Sequence, residues 1–142
     1  MRPKNRYSGC GVFRDNKILM VKEKMDGDWS LPDGWGDIGL TPSEVAIKET
    51  KEESGFNVKA IILISVFDKK CHPHLPSLYH VYKMFIQCEI IRGRAEEGME
   101  TNAVAFFAEN ELPFLSMVRN TESQLKLAFR HLNNLHLPTY FD

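Results

Sequence analysis

Lys48-Glu49-Thr50-Lys51-Glu52-Glu53-Ser54-Gly55-Phe56 closes a stretch that opens at Gly34 and decides how this chain is read. On a helix, Glu49, Glu52 and Glu53 stand at i, i+3 and i+4, so their carboxylates crowd toward one face within reach of a single ion. Three like charges so placed repel one another. The pattern makes chemical sense where a hard divalent cation neutralises it, and oxygen donors of this kind favour magnesium, with manganese second. A Glu-rich helix is more often just a solvated surface. Here the solvent side is already supplied by Glu44, Lys48 and Lys51, which leaves the acidic triplet on the border with the buried side, Ala46, Ile47 and Thr50.

The ends of this helix are written into the sequence. Thr41-Pro42-Ser43-Glu44 is a capping box with proline at the first helical position, and Leu40 and Val45 occupy the two places of a hydrophobic staple. Gly55 supplies the C-terminal stop. A helix over about residues 42–54 is therefore expected, with Glu44 free to pair with Lys48 one turn on.

With Gly34 as its first glycine, the stretch resembles the signature of the Nudix (MutT-like) hydrolases: glycine, five residues, Glu, seven residues, then Arg-Glu-apolar-any-Glu-Glu-any-Gly-apolar. Glu49, Glu52, Glu53, Gly55 and Phe56 fall on signature positions, and Trp29-Ser30-Leu31-Pro32-Asp33-Gly34 is similar to the strand and Leu-Pro-Gly-Gly turn that precede it. The resemblance implies an α/β fold, an α/β/α sandwich around a mixed sheet. It also implies that Glu49, Glu52 and Glu53 hold divalent cations bridging a substrate diphosphate, with the backbone carbonyl of Asp33 as a further ligand. Leu40 stands where the signature has Glu, Lys48 where it has Arg, Asp33 where the turn has its first glycine, and Thr50 at an apolar position. In the family the Glu and Arg are expected to pair as a brace, so losing both leaves no orphan charge. Asp33 is expected to take the left-handed backbone of the glycine it replaces.

The rest of the chain fits a small enzyme. Its 142 residues, 43% hydrophobic and 26% charged, suit one domain over 1–142. A net charge of −1 gives no electrostatic footprint for duplex DNA. Cys10, Cys71 and Cys88 are few, odd in number and far apart, as expected of reduced thiols. No run approaches the roughly 18 apolar residues of a membrane helix and no signal-peptide core opens the chain, so a cytoplasmic protein is expected. Tyr7–Phe13 and Lys17–Lys22 read as strands joined by a turn at Asp15-Asn16, followed by a polar loop, Glu23–Asp28. Val58–Asp68, Tyr79–Ile91 and Ala103–Ala108 read as further strands. A second capped helix opens at Thr121, with Gln124 completing its box and Leu125, Ala128, Phe129 and Leu132 as its buried stripe.

A carboxylate-held metal can draw charge from a phosphoryl oxygen and make hydroxide available near neutral pH, so a diphosphate bond is the natural target. The expected reaction is hydrolysis of a nucleoside diphosphate linked to a second group, releasing a nucleoside monophosphate. Glu52 and Glu53 are candidates to activate the water. Glu100, in the acidic loop Glu96-Glu97-Gly98-Met99-Glu100, is the candidate from outside the helix, because similar enzymes place a base or ligand at that spacing. The loop Asp68–His74, the segment Tyr79–Lys83 and the C-terminal tail resemble a bacterial subgroup of ADP-ribose and CDP-choline pyrophosphatases. The resemblance implies a homodimer as an option and RNA ends as a side substrate, and the chain is expected to lack the extra N-terminal domain common in that subgroup. Gly34, Trp35, Phe67, His72, His74, Tyr79 and Tyr82 are the candidates to contact the nucleotide, the aromatic ones by stacking. A catalytically weak Nudix domain that senses a nucleotide is the alternative, and an acidic metal-binding scaffold a third reading.

Overall fold

The hairpin that starts the chain also divides its sheet. In the computed structural model, which describes residues 6–69, 81–116 and 119–142, β1 (Arg6–Arg14) and β2 (Lys17–Glu23) turn at Asp15 and Asn16, both with positive φ (52° and 61°). That is the backbone a tight hairpin of right-handed twist requires. The two strands pair only next to this turn, through Phe13 with Ile18 and Arg14 with Lys17. Beyond it they part. β1 joins β4 (Asp33–Trp35), antiparallel, and β6 (Tyr82–Gly93), parallel; β2 joins β3 (Trp29–Ser30) and β7 (Thr101–Phe107), both antiparallel. β5 (Phe56–Asp68) runs antiparallel to β6 and carries the two-residue β8 (Tyr140–Phe141) along its outer edge, in parallel. The sheet is mixed, as expected.

A helix covers each face. α1 (Pro42–Ser54) contributes Ala46 to a core of Cys10, Val12, Leu19, Phe56, Val58, Ile86 and Cys88. α2 (Glu122–Asn133) packs Leu125, Leu127, Ala128 and Phe129 against Ile18, Met20, Leu31, Ile64 and Phe85. The alternation of Ile18, Leu19 and Met20 between the two cores is the period-two signature of a strand buried on both sides. Among the described residues no helix is long and apolar enough to cross a membrane.

Both helix starts are built as their sequences indicate. Thr41 and Thr121 each accept from the amide three residues on, and Glu44 and Gln124 return the bond to the cap amides. Gly55 ends α1 in the left-handed region, φ 86°. Some expectations change. Glu44 is engaged by its own capping box, so Lys48 pairs across to Asp37 at 3.4 Å instead of with Glu44. This exposed pair braces the loop to the helix only weakly. The buried side of α2 is broader than its apolar stripe, taking in Gln124 and His131, while Leu132 is only half-buried. Cys10 and Cys88 meet in the core as free thiols, Sγ to Sγ 2.8 Å, despite their separation in sequence.

Replacing Thr41 by Ala removes the acceptor for the Glu44 amide and is expected to cost about 1 kcal/mol of stability. In a thermal melt this should appear as a midpoint lowered by roughly 3–5 °C; an unchanged midpoint would show that the cap does not hold the helix start.

Candidate active site

Antiparallel pairing of β4 with β1 sets Asp33 opposite Gly9, Gly34 opposite Ser8 and Trp35 opposite Tyr7. α1 crosses directly above this short strand. A side chain at Gly34 would collide with the Glu49 carboxylate, so glycine is required here by close approach. Asp33 is not in the left-handed region anticipated from the glycine it replaces. It lies in β4 with negative φ and is buried, and its side chain does the work: Oδ1 accepts from the Tyr7 hydroxyl at 2.8 Å and from Arg119 Nη1 at 2.7 Å.

Of the helix glutamates, Glu49 and Glu53 come together and Glu52 does not join them. Positions i and i+4 nearly eclipse on a helix, whereas Glu52 is rotated about 100° from Glu53. Glu53 is buried, in hydrogen-bonding contact with Glu49, while Glu52 is exposed at the rim beside Lys48 and Glu49. The third carboxylate reaching Asp33 and Glu53 is Glu23, at the end of β2; ligand atoms of the three lie within 4.8 Å of one another. Glu23 also accepts from Ser30 Oγ at 3.3 Å and meets Arg119 Nη1 at 3.3 Å. The carbonyl of Glu53 is held by Thr101 Oγ1 at 2.9 Å, which fixes the C-terminal turn of α1 against β7.

The electrostatics are one-sided. Burial, followed by the charges of Asp33, Glu23 and Glu49, pushes Glu53 up to about 11. Burial and then Glu52 push Glu49 up to about 7. Burial raises Asp33 and Glu23 as well, against the opposing pull of Arg119. Lys83, buried beside Tyr7, is lowered to about 7 by desolvation. Arg119 is thus the one firmly charged cation these carboxylates share among the described residues, and it does not neutralise them. Asp33 Oδ2 and Glu53 Oε2 are buried with no hydrogen-bond partner. Unpartnered buried carboxylate oxygens are costly unless a cation completes them, so this donor set fits a hard divalent ion.

Tyr7, Glu23, Trp35, Lys69, Lys83 and Arg119 help to line a cavity of about 210 Å³ beside the cluster. A larger hollow, about 930 Å³, opens around Glu109, Phe114 and Lys126 and contains none of the converging carboxylates. Trp35 is 39% exposed, edge-on to Tyr7 at 4.9 Å between ring centroids. Phe67, expected to stack on a base, is instead core: 4% exposed and packed on Phe85 and Tyr140. Tyr82 is 42% exposed at the start of β6 and lines no part of the cavity. Glu100 is exposed; its carbonyl accepts from the Lys24 amide, which brings its backbone beside Glu23 while its carboxylate stays out of the cluster. His72, His74 and Tyr79 lie outside the described residues. Sequence reading missed Tyr7, Glu23, Lys83 and Arg119; a charged residue inside an expected strand was an available signal at Lys83, whereas Glu23 falls in the loop expected after β2.

A mixed sheet between two helices, with a glutamate-bearing helix laid across a glycine turn, defines a Nudix hydrolase. The NUDIX domain is matched over residues 3–128, and the chain belongs to that family. It is 50% identical, over 99% of its length, to YjhB of Bacillus subtilis, a proposed ADP-ribose pyrophosphatase, of which it spans 67%. The crystal structure of an ADP-ribose pyrophosphatase from Streptococcus suis is similar at a TM-score of 0.88 and 37% identity, covering 99% of this chain and 100% of that one. A UDP-X diphosphatase structure is similar at 0.88 and 30% identity, covering 100% and 68%.

Glu49 and Glu53 have raised values in the folded chain, so folding retains protons that the unfolded chain releases above its ordinary 4.5. That stabilisation is complete below about pH 4.5; the Glu49 share is lost as pH rises through about 7 and the Glu53 share goes on being lost up to about 11. In chelator the melting temperature should therefore fall from pH 5 to pH 8, and magnesium should raise it more at pH 8. Equal magnesium shifts at both values would separate the cluster from cation binding.

Proposed function

We propose that this protein is a divalent-metal-dependent pyrophosphohydrolase acting on a nucleoside diphosphate linked to a second group, ADP-ribose or CDP-choline in type, with magnesium as its ion. The observation that carries this reading is the pair of unpartnered oxygens, Asp33 Oδ2 and Glu53 Oε2, buried among converging carboxylates beside a cavity that Glu23, Lys83 and Arg119 help to line. Glu49 and Glu53 on α1, with Asp33 and Glu23 facing them, would hold the ion. When bound, it draws charge from the diphosphate oxygens and lowers the pKa of a bound water.

The chain's own residues do the rest. Gly34 lets α1 lie close enough to present Glu49 over the turn. Burial of the cluster excludes bulk water and strengthens every charge interaction within it. Proton removal from the attacking water falls to an exposed carboxylate that can exchange with solvent, Glu52 at the rim or Glu100 beside β2. The assignment to ADP-ribose-like substrates is supported by the names of the relatives, and the cavity is compatible with it. A second reading, a nucleotide-binding domain with little turnover, is favoured by one feature: Arg119 already sits on Asp33 and Glu23.

Product analysis over ADP-ribose, CDP-choline, a UDP-sugar, capped RNA and nucleoside triphosphates, with and without magnesium, decides between them. Release of a nucleoside monophosphate from a diphosphate-linked substrate only with metal is expected. Binding without metal-dependent release would mean the sensor. Glu53→Gln is expected to lower kcat by about a thousandfold, and Glu52→Gln or Glu100→Gln by roughly a hundredfold in whichever supplies the base. If neither of the last two lowers kcat, the base lies elsewhere.

A further inference from the structure

Arg119 is held on one nitrogen. Nη1 donates to Asp33 Oδ1 at 2.7 Å and to the Tyr7 hydroxyl at 3.0 Å, and faces Glu23 Oε1 at 3.3 Å. Nη2 and Nε have no protein partner among the described residues, on a side chain 26% exposed that lines the 210 Å³ cavity. A guanidinium anchored at one corner keeps a planar pair of donors for a second anion, the geometry that suits a phosphoryl group.

The segment bearing Arg119 is fixed to the strand bearing Asp33. Buried Asn120 accepts from the Leu31 amide at 3.1 Å and donates to the Ser116 carbonyl at 3.2 Å, and the Arg119 amide bonds the same carbonyl at 2.9 Å. Ser116 Oγ in turn donates to Asp26 Oδ2 at 2.8 Å. Lys83 donates its ammonium to the Arg119 carbonyl. The guanidinium is therefore set in place before any ligand arrives, which lowers the ordering cost of binding.

The cavity has two electrical sides. Glu23 and Asp26 stand in its wall with Lys69, Lys83 and Arg119. Its volume is below the roughly 300–1,000 Å³ usual for a whole drug-sized ligand. It suits the phosphate end of a nucleotide and leaves the base to the rim, where Trp35 is exposed.

We infer that Arg119 is a substrate-binding residue, which grips through Nη2 and Nε the phosphoryl group of the diphosphate lying away from the carboxylate cluster, with Asp33 and Tyr7 as its positioning residues. Asp33, at the turn position where the family signature has glycine, then has a use of its own: it orients the guanidinium. The inference rests on the proposed diphosphate substrate and deepens it.

The test measures binding of α,β-methylene-ADP and α,β-methylene-CDP, neither hydrolysed at its bridge, by calorimetry with magnesium present, the tighter of the two serving as the analogue, and binding of manganese alone by its paramagnetic signal. Arg119→Ala is expected to weaken the analogue by about 10- to 100-fold, as for loss of charge-assisted hydrogen bonds, while manganese binds as tightly as before or more so. Arg119→Lys, which retains charge without the planar pair, should fall between, and Tyr7→Phe should weaken the analogue a few-fold. With substrate, KM should rise more than kcat falls. If the wild type binds the analogue and Arg119→Ala and Arg119→Lys bind it equally well, Arg119 is not the clamp, and the diphosphate reading stands. Should Arg119→Ala fail to fold, Arg119→Lys alone carries the comparison. Failure of the wild type to bind either nucleoside's analogue overturns the diphosphate reading and this inference with it.

Discussion

Helix α1 can cross β4 only where the strand has no side chain on that face, and Gly34 provides the place. Everything acidic in the site follows from that approach. With the helix laid against β4, Glu49 rests over Gly34, Glu53 drops into the interior one turn later, and Asp33 and Glu23 reach it from the two arms of the sheet that diverge at the β1–β2 hairpin. Residues from three separate segments thereby share one poorly solvated volume. Burial disfavours the charged forms there and neighbouring carboxylates add repulsion, and the raised values of Glu49 and Glu53 express both as retained protons.

Such a cluster stores a demand for positive charge that the chain meets only in part. Arg119 contacts Asp33 and Glu23, leaving the helix pair Glu49 and Glu53 to share a proton or accept a cation. The guanidinium lines the cavity and balances Asp33 and Glu23, while Asp33 Oδ2 and Glu53 Oε2 are left without a partner. A ligand with two adjacent anionic centres matches that division better than one with a single charge, which is the physical basis of the proposed diphosphate substrate.

How much of this could be read from sequence depends on the range of the interaction. The two capped helices were legible because their determinants lie within four residues of each other: Thr41 with Glu44, Thr121 with Gln124, and the stop at Gly55. The strands were legible from their apolar runs, and Asp15-Asn16 from its turn chemistry. Which face of a strand a residue takes was harder. β5 shifts register at three places against β6, between Asn57 and Val58, Ala60 and Ile62, and Leu63 and Ser65. Each bulge breaks the period-two count, so Phe67 could not be assigned inward from its position in the run. Arg119 was invisible for a different reason. Its partners Tyr7, Glu23 and Asp33 lie about a hundred residues away, brought to it by tertiary packing alone.

The departures from the family signature also separate by where they fall. Leu40, half-buried, and Lys48, exposed, lie at the loop-to-helix junction, where the Lys48–Asp37 pair between half-exposed side chains replaces the expected brace at little energetic consequence. Thr50 is buried, but its hydroxyl is satisfied by the Ala46 carbonyl at 2.7 Å, so the helix tolerates it within its own backbone. Asp33 alone joins the buried carboxylate cluster. A glycine there would leave Tyr7 and Arg119 without their shared acceptor, and Arg119 would be drawn to Glu23 as its remaining carboxylate contact. Of the changes in this stretch, then, two alter how the helix is tethered, one is absorbed locally, and one rebuilds the wall of the site around a fixed guanidinium.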